Sequence, residues 1–321
     1  MSADVTVVIP TRDRLPLLAQ TLHTVLGQRG VTLEVVVVDE GSTDGTAAWV
    51  QGRDDPRVRC LTADRPRGLP AARNAGLAEA RAPWVAFVDD DDLWAPDKLA
   101  RQLAAAERAD AAWSYGAGLD IGPAGRLVRV NPVAAGEWRQ LPWRNVVPGG
   151  GSNVVVRRDV LRELDGFDPS LPAAEDWDLW IRLARGGAPG LVADPVVAYR
   201  FHGGNMSRGV ARMLQGVDVL DVRHRDLRDG APLDREDLYR WVGNGALRAG
   251  DRAAARRLAW RARRAGHPGA GRRVARTLVP LPARVATEEP RSRLGRAWVR
   301  PSPPWPDGSD GWVRAALAVT P

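Results

Sequence analysis

The sequence predicts an α/β fold with a mainly parallel sheet and flanking helices, followed by a small α-helical C-terminal region. Two observations predict the sheet. Short apolar runs, "VTVVI" at residues 5–9 and "EVVVV" at 34–38, alternate with segments whose apolar residues recur every three or four positions. Strands that alternate with helices at this spacing form parallel sheets that are buried on both faces.

The first third of the chain repeats this scheme of a strand followed by a helix. Strands are expected at residues 5–9, 34–38, 58–64 and 83–88. Helices are expected at residues 15–28, from Thr43 or Asp44 through Val50, and at 69–81. The regular alternation predicts that these strands lie side by side in one sheet.

A change of composition near residue 210 divides the chain into three parts. Residues 1–210 form the α/β domain, residues 211–275 an Arg/Ala-rich helical extension, and residues 276–321 a Pro/Gly-rich tail that is expected to be poorly ordered in part. Two helices are expected in the extension, at about 234–248 and 251–265, with Gly250 ending the first and Asp251 capping the second.

The positive charge of the chain lies in its C-terminal third. The net charge is +7 for the whole sequence, of which residues 211–321 carry +10 and residues 1–210 carry −3. A solvated helical appendix is the first interpretation of this basic region. The second is peripheral contact with anionic lipid at the inner face of a membrane. Nucleic-acid binding is the least favoured interpretation, because no recognisable binding module accompanies the charge.

Three further features of the sequence indicate where in the cell the protein is located. The longest apolar runs are far shorter than the roughly 18 to 20 residues that span a bilayer. The N-terminus has no basic region before its first apolar run, so a secretory signal is not expected. Cys60 is the one cysteine of the sequence and leaves no internal disulfide to form. These features predict a cytoplasmic protein.

Carboxylates follow two of the predicted strands. Asp39 and Glu40 end the second strand, and Asp89 to Asp92 end the fourth. In parallel sheets ligands bind at this carboxyl edge. Several carboxylates in one turn favour a hard divalent cation, Mn²⁺ or Mg²⁺, held together with substrate phosphates. On the acidic run alone, an equally good interpretation is that Asp92 caps the next helix and the other carboxylates are solvated.

Five motifs in this order resemble the family-2 glycosyltransferases with the GT-A fold, and "YRFHGGNMS" completes the set. The motifs are "VVIPTRDR", "VVVVDEGSTDGT", "GLPAARNAGL", "VAFVDDDDLWAPDKL" and "AEDWDLWIRLA". The resemblance covers about residues 4–205. It implies an inverting enzyme that moves a sugar from a nucleoside diphosphate to an acceptor hydroxyl or similar nucleophile.

The resemblance assigns the nucleotide side of the site. Asp39 matches the acid that accepts a hydrogen bond from the base, and the loop beside the nucleoside matches Pro10, Thr11 and Arg12. A carboxylate suits the N3–H of uracil or thymine, which favours UDP or dTDP, although guanine also offers ring donors. Glu40 departs from the family, which usually has a second Asp at this position.

The resemblance also assigns the metal motif. Asp89 is expected near the ribose and Asp91 on the cation that bridges the diphosphate, with Asp90 a further participant because four consecutive acids leave the register open. His202 matches a position that often completes the metal site. Arg73 matches an arginine that supports the site, and its alternative is a surface arginine on a helix.

The acceptor side is assigned by "AEDWDLWIRLA". Asp176 matches the general base that deprotonates the acceptor, with Glu175 as its neighbour. The alternative is a pair of acids stabilised by the start of a helix. The glycines at 149–151 are expected in a loop that borders the acceptor.

Two other functions compete with sugar transfer. A sugar-phosphate nucleotidyltransferase shares the nucleotide-binding sheet and the carboxylates, but its typical N-terminal glycine-rich motif with a lysine is replaced here by "PTRDR". A catalytically inactive sugar-nucleotide-binding module is the alternative from a different class, and the presence of every expected acid argues against it.

Overall fold

The computed structural model describes residues 3–122, 125–201, 209–233, 251–267, 269–272 and 309–321, with the single positions 235, 236, 238, 239, 242, 243, 246, 274 and 306. Its strands are β1 (Val5–Thr11), β2 (Leu33–Asp39), β3 (Val58–Thr62), β4 (Trp84–Phe87), β5 (Leu93–Trp94), β6 (Trp113–Ile121), β7 (Leu127–Asn131), β8 (Val155–Arg157) and β9 (Gly190–Arg200). Its helices are α1 (Leu15–Leu26), α2 (Thr46–Gln51), α3 (Leu69–Ala78), α4 (Lys98–Arg108), α5 (Arg158–Glu163), α6 (Glu175–Gly186), α7 (Val210–Arg223), α8 (Arg252–Arg264) and α9 (Ser309–Leu317).

The strands of the described chain form one sheet in the order β3-β2-β1-β4-β8-β6-β9-β5, with β7 paired to β6. The β3-β2-β1-β4 half is parallel. Beyond β4 the pairs are antiparallel except for β6 with β9. The predicted α/β fold with its strands at 5–9, 34–38, 58–64 and 83–88 is therefore confirmed.

The valines of β2 show why this sheet is buried on both faces. Val35 and Val37 pack in one apolar cluster, and Val36 and Val38 pack in another. All four are at most 3% exposed. Successive side chains of a strand point to opposite faces, so an uninterrupted valine run requires cover on each side.

Helix α3 lies against the sheet at Gly76, where a Cβ atom would be 2.3 Å from Cγ1 of Val8. Only glycine permits this approach. The close contact fixes α3 on β1, and α3 carries Arg73 toward the carboxyl edge of the sheet.

The basic extension is described in part. Asp251 caps α8 as expected, because its side chain accepts a hydrogen bond from the Ala254 N–H at 2.8 Å. Gly250 lies outside the described residues, as does much of the helix expected at 234–248. Within the described ranges, no helix is both long enough and apolar enough to cross a membrane.

Part of the Pro/Gly-rich tail forms helix α9, which the sequence does not predict. Val313 and Ala316 are buried in an apolar cluster that also contains Leu93 of β5 and two residues of β6, Leu119 and Ile121. The Gln20 side-chain amide of α1 donates hydrogen bonds to the carbonyl oxygens of two tail residues, Leu317 at 3.2 Å and Val319 at 3.1 Å. The end of the chain is therefore packed on the α/β domain.

Replacing Val313 with aspartate is expected to lower the free energy of unfolding by about 2 to 3 kcal/mol, because an unpaired charge would replace a fully buried valine. Urea denaturation measures this. Ala315→Asp is the matched control, since it adds the same charge to an exposed position of α9. Equal stability of the two variants would contradict the packing of α9 described above.

Candidate active site

The candidate site lies at the carboxyl edge of the parallel half of the sheet. Thr11 ends β1 and Asp39 ends β2, and these two residues are partners in the strand register. The acidic turn, Asp89 to Asp92, follows β4, which is the other neighbour of β1. Three motifs that are distant in sequence therefore lie at adjacent strand ends.

Asp39 is fully buried at the end of β2. Its carboxylate accepts hydrogen bonds from the hydroxyl and the backbone N–H of Ser42, the latter at 3.2 Å. The Glu40 carboxylate is bound differently, since it accepts the N–H groups of Arg67 at 2.7 Å and Gly68 at 2.9 Å. The glutamate that departs from the family pattern thus ties the loop before α3 to the end of β2.

The residues expected beside the nucleoside lie at the end of β1 and at the start of the loop that follows it. Pro10 is buried within β1, opposite Val38 in the strand register. The Thr11 hydroxyl donates to Oδ2 of Asp90 at 2.8 Å, which joins this loop to the acidic turn. Arg12 is about half exposed, with Nε 3.5 Å from Oδ2 of Asp13.

Asp90 and Asp91 are both 4% exposed and share one arginine. Nη1 of Arg14 lies 3.0 Å from Oδ1 of Asp90 and 2.9 Å from Oδ2 of Asp91. Burial and the neighbouring Asp91 charge raise the pKa of Asp90 to about 7, against the opposing effect of Arg14. Arg14 was not among the residues predicted from the sequence; its signal was a second arginine, two residues after Arg12, in the loop that faces the acidic turn.

Asp92 is a structural residue. It is fully buried, and it accepts hydrogen bonds from the Ser152 hydroxyl at 2.5 Å and from the Arg200 N–H at 3.0 Å. Burial and the Asp91 and Asp89 charges raise its pKa well above the usual range. Helix α4 begins at Lys98, so the interpretation of Asp92 as its cap is wrong.

Arg73 joins the acidic turn to the acceptor-side motif. It is 2% exposed, with Nη2 2.6 Å from Oδ1 of Asp89 and Nη1 2.8 Å from Oε1 of Glu175. Its guanidinium carbon also lies 5.1 Å from the centre of the Phe167 ring. The alternative of a surface arginine is wrong, because the side chain is buried between two carboxylates.

The glycine loop at residues 149–151 covers this arginine and the neighbouring acid. A Cβ atom at Gly151 would be 2.6 Å from Nη2 of Arg73, and one at Gly150 would be 2.9 Å from Oδ2 of Asp176. Any side chain there would displace a charged group. The loop therefore needs Gly150 and Gly151 in order to lie this close to Asp176 and Arg73.

Asp176 lies in the first turn of α6 and is half-buried. Its Oδ1 accepts the N–H of Trp177 at 2.7 Å. Burial and the adjacent Glu175 charge raise the pKa of Asp176 to about 7, and Arg73 acts in the opposite direction. A carboxylate with such a pKa is a far stronger base than an ordinary aspartate.

If Asp176 is the general base that the sequence predicts, it has to be ionised to accept a proton, and the reaction rate at saturating substrate is expected to rise with pH between about 6 and 8 and then to level off. A pH–rate profile of the wild type measures this. In Asp176→Asn the residual rate should lack this dependence. A wild-type profile that is flat from pH 5 to 8 would exclude Asp176 as the base.

The carboxylates of the acidic turn suit a divalent cation whose remaining ligands come from the substrate. Among the described residues there is no group of three or more His, Cys, Asp or Glu side chains that could hold a metal ion. His202 lies outside the described residues. Mg²⁺ and Mn²⁺ sites commonly use one or two carboxylates together with substrate phosphates. Asp91 fits this role, and its pairing with Arg14 shows that a positive group is stable beside it.

Comparison with known proteins identifies relatives of this chain. The family model described as Glycosyl transferase family 2 matches residues 6–164, and the one described as Glycosyltransferase like family 2 matches residues 127–220.

Two curated relatives and one solved structure illustrate the similarity. The succinoglycan biosynthesis protein ExoO of Rhizobium meliloti is 37% identical over 62% of this chain and 60% of its own. The UDP-Glc:alpha-D-GlcNAc-diphosphoundecaprenol beta-1,3-glucosyltransferase WfgD of Escherichia coli is 30% identical over 35% of this chain and 44% of its own. The mannosyltransferase PcManGT of Pyrobaculum calidifontis, solved with GDP-Man and Mn²⁺, has a TM-score of 0.54 at 21% identity, over 98% of this chain and 86% of its own. The chain thus spans about half the length of these two curated relatives, and the solved structure supports the GT-A fold.

Proposed function

Because the chain belongs to glycosyltransferase family 2, we propose that it transfers a sugar, with inversion, from a nucleoside diphosphate to an acceptor nucleophile. The observation that carries this proposal is the pair of contacts made by buried Arg73, to Asp89 at 2.6 Å and to Glu175 at 2.8 Å. They connect the donor-side acidic turn with the acceptor-side acids, although the two motifs are far apart in sequence. A displacement reaction needs its leaving group and its base in one cavity.

On the donor side, the carboxylate of Asp39 accepts the ring N–H of the base, and UDP or dTDP is the favoured donor class. Pro10, Thr11 and Arg12 flank the nucleoside, and Asp89 binds the ribose. Support for a uridine donor comes from the relative whose name specifies UDP-Glc, whereas the solved mannosyltransferase binds GDP-Man.

In this proposal Asp91 and the diphosphate would hold a divalent cation, Mn²⁺ or Mg²⁺, and His202 would be a further ligand. Bound there, the cation supplies positive charge against the diphosphate that leaves. Asp90 contributes through the turn that presents Asp91, since Thr11 and Arg14 fix its carboxylate.

On the acceptor side, Asp176 takes the proton of the acceptor nucleophile. The freed electron pair forms a bond to the anomeric carbon while the bond from that carbon to the diphosphate oxygen breaks, which inverts the configuration. Arg73 holds Glu175, and its charge also acts on Asp176, limiting the rise of the pKa of Asp176.

A lipid-linked saccharide is the acceptor class that we favour. One relative is named for transfer to a GlcNAc-diphosphoundecaprenol.

Helix α8 has no acidic residue, and its solvent-exposed arginines are Arg256, Arg257, Arg261, Arg263 and Arg264. Trp260 lies on the same helix and is 45% exposed. Such a helix suits the anionic inner face of a membrane. Sedimentation with anionic vesicles should fall when the exposed Arg256, Arg257 and Arg261 of α8 are replaced by glutamine.

A nucleoside-diphosphate release assay tests the proposed activity. Purified protein is incubated with Mn²⁺ and a panel of UDP- and dTDP-sugars, with and without lipid-linked saccharide acceptors. We expect release of UDP or dTDP that the acceptor accelerates. Nucleotide binding without release would support the inactive binding module, and formation of a nucleotide sugar from a sugar phosphate and a nucleoside triphosphate would support the nucleotidyltransferase.

A further inference from the structure

Arg14 is held against the acidic turn by its own neighbours in the chain. The Asp13 N–H donates to the Ser42 hydroxyl at 2.9 Å, and the Leu15 N–H donates to Asp44 Oδ2 at 3.0 Å. Asp13 also has a positive φ of 50°, which is uncommon for a residue other than glycine. The backbone on both sides of Arg14 is thereby fixed to the loop after β2.

From this fixed backbone the Arg14 side chain reaches two carboxylates at once. Its Nη1 atom lies 3.0 Å from Asp90 and 2.9 Å from Asp91, and both acids are nearly buried. Arg73 pairs with Asp89 on the other side of the turn. Two arginines therefore pair directly with three carboxylates of this turn.

We propose that Arg14 is an internal counter-cation that competes with the divalent metal for Asp91, so that metal binding depends on the donor diphosphate. This inference rests on the proposed function, because it takes Asp91 as the metal-binding carboxylate. A cation that binds Asp91 in the absence of donor has to displace a guanidinium that already bonds Oδ2 and repels the cation. A bound diphosphate adds negative charge that attracts the cation and offers Arg14 a second anionic partner.

The competition distinguishes Arg14 from a residue that only organises the turn. A structural residue would weaken metal binding when it is removed, because the carboxylates would lose their positions. A competing cation would strengthen it. Measurement of Mn²⁺ binding alone, without turnover, separates the two roles.

The experiment titrates Mn²⁺ into the full chain and follows free Mn²⁺ by electron paramagnetic resonance, with and without UDP. Arg14→Gln is expected to bind Mn²⁺ about tenfold more tightly than the wild type without UDP, and UDP should enhance its Mn²⁺ binding less. Arg14→Lys keeps the charge, but its shorter and more flexible side chain holds that charge less firmly at the position where Nη1 meets both carboxylates, so an intermediate affinity is expected. If Arg14→Gln does not fold, the comparison of Arg14→Lys with the wild type still tests the competition. Arg101→Gln removes one arginine that pairs with Asp97 and Asp194 on the surface, and it controls for net charge.

The outcomes separate this inference from the proposed function. If wild type and Arg14→Gln bind Mn²⁺ equally, or the variant binds it more weakly, Arg14 does not compete and the inference is wrong, while a metal site at Asp91 stands. If no variant binds Mn²⁺ even with UDP, the metal role of Asp91 is wrong as well.

Discussion

Asp176→Asn is expected to lower the transfer rate by about 10²- to 10⁴-fold, because the amide cannot accept the proton of the acceptor nucleophile. The change is nearly isosteric, and an amide oxygen can still accept the Trp177 N–H that Asp176 accepts at 2.7 Å. The fold and the donor site should therefore survive. Steady-state rates at saturating donor measure the effect.

Two controls define what this result means. UDP should stabilise Asp176→Asn as much as it stabilises the wild type, since Asp176 belongs to the acceptor side. Glu163→Gln removes a carboxylate at the end of α5 and should keep the wild-type rate. If Asp176→Asn retained wild-type transfer, the base would have to be another residue.

Arg73→Met is expected to lower the free energy of unfolding by about 3 to 5 kcal/mol and to abolish most of the transfer activity. The methionine would leave Asp89 and nearly buried Glu175 without the cation that contacts them at 2.6 and 2.8 Å. The loss should be visible in urea denaturation at pH 7.

A second substitution tests the cause of that loss. In Arg73→Met/Glu175→Met the more buried of the two uncompensated carboxylates is removed, so part of the lost stability should return. Arg101→Met is the matched control, because its pairs with Asp97 and Asp194 are exposed, and it should leave the free energy of unfolding nearly unchanged. A loss in Arg73→Met no larger than in this control would contradict the ion pairs described for Arg73.

The parallel half of the fold was predictable because burial on both faces leaves a strong sequence signal. A valine run such as that of β2 has few alternatives to a central strand. Helix α9 was not predictable in this way. Its burial comes from an apolar cluster that Val313 and Ala316 share with strands distant in sequence, and its flanking prolines and glycines suggest a loop when they are considered alone.

Within the candidate site, the sequence indicated residue types better than partners. Asp39, Asp89 and Asp91 follow strands, so their common edge was inferred from topology. The partner of an arginine depends on how loops meet in space. That is why Arg73 was expected without its contact to Glu175, and why Arg14 was not expected.

The central claim is a metal-assisted nucleoside-diphosphate site at Asp39, Asp89 and Asp91. The most direct measurement is a thermal-shift titration of UDP, dTDP, GDP and CDP, with and without Mn²⁺, on the wild type and on Asp91→Asn. We predict that UDP or dTDP stabilises the wild type only with Mn²⁺, by about 2.7 kcal/mol at a hundredfold excess over Kd, and that Asp91→Asn loses this effect. If no nucleotide shifts the wild-type transition under either condition, the site is not a donor site and the claim is wrong.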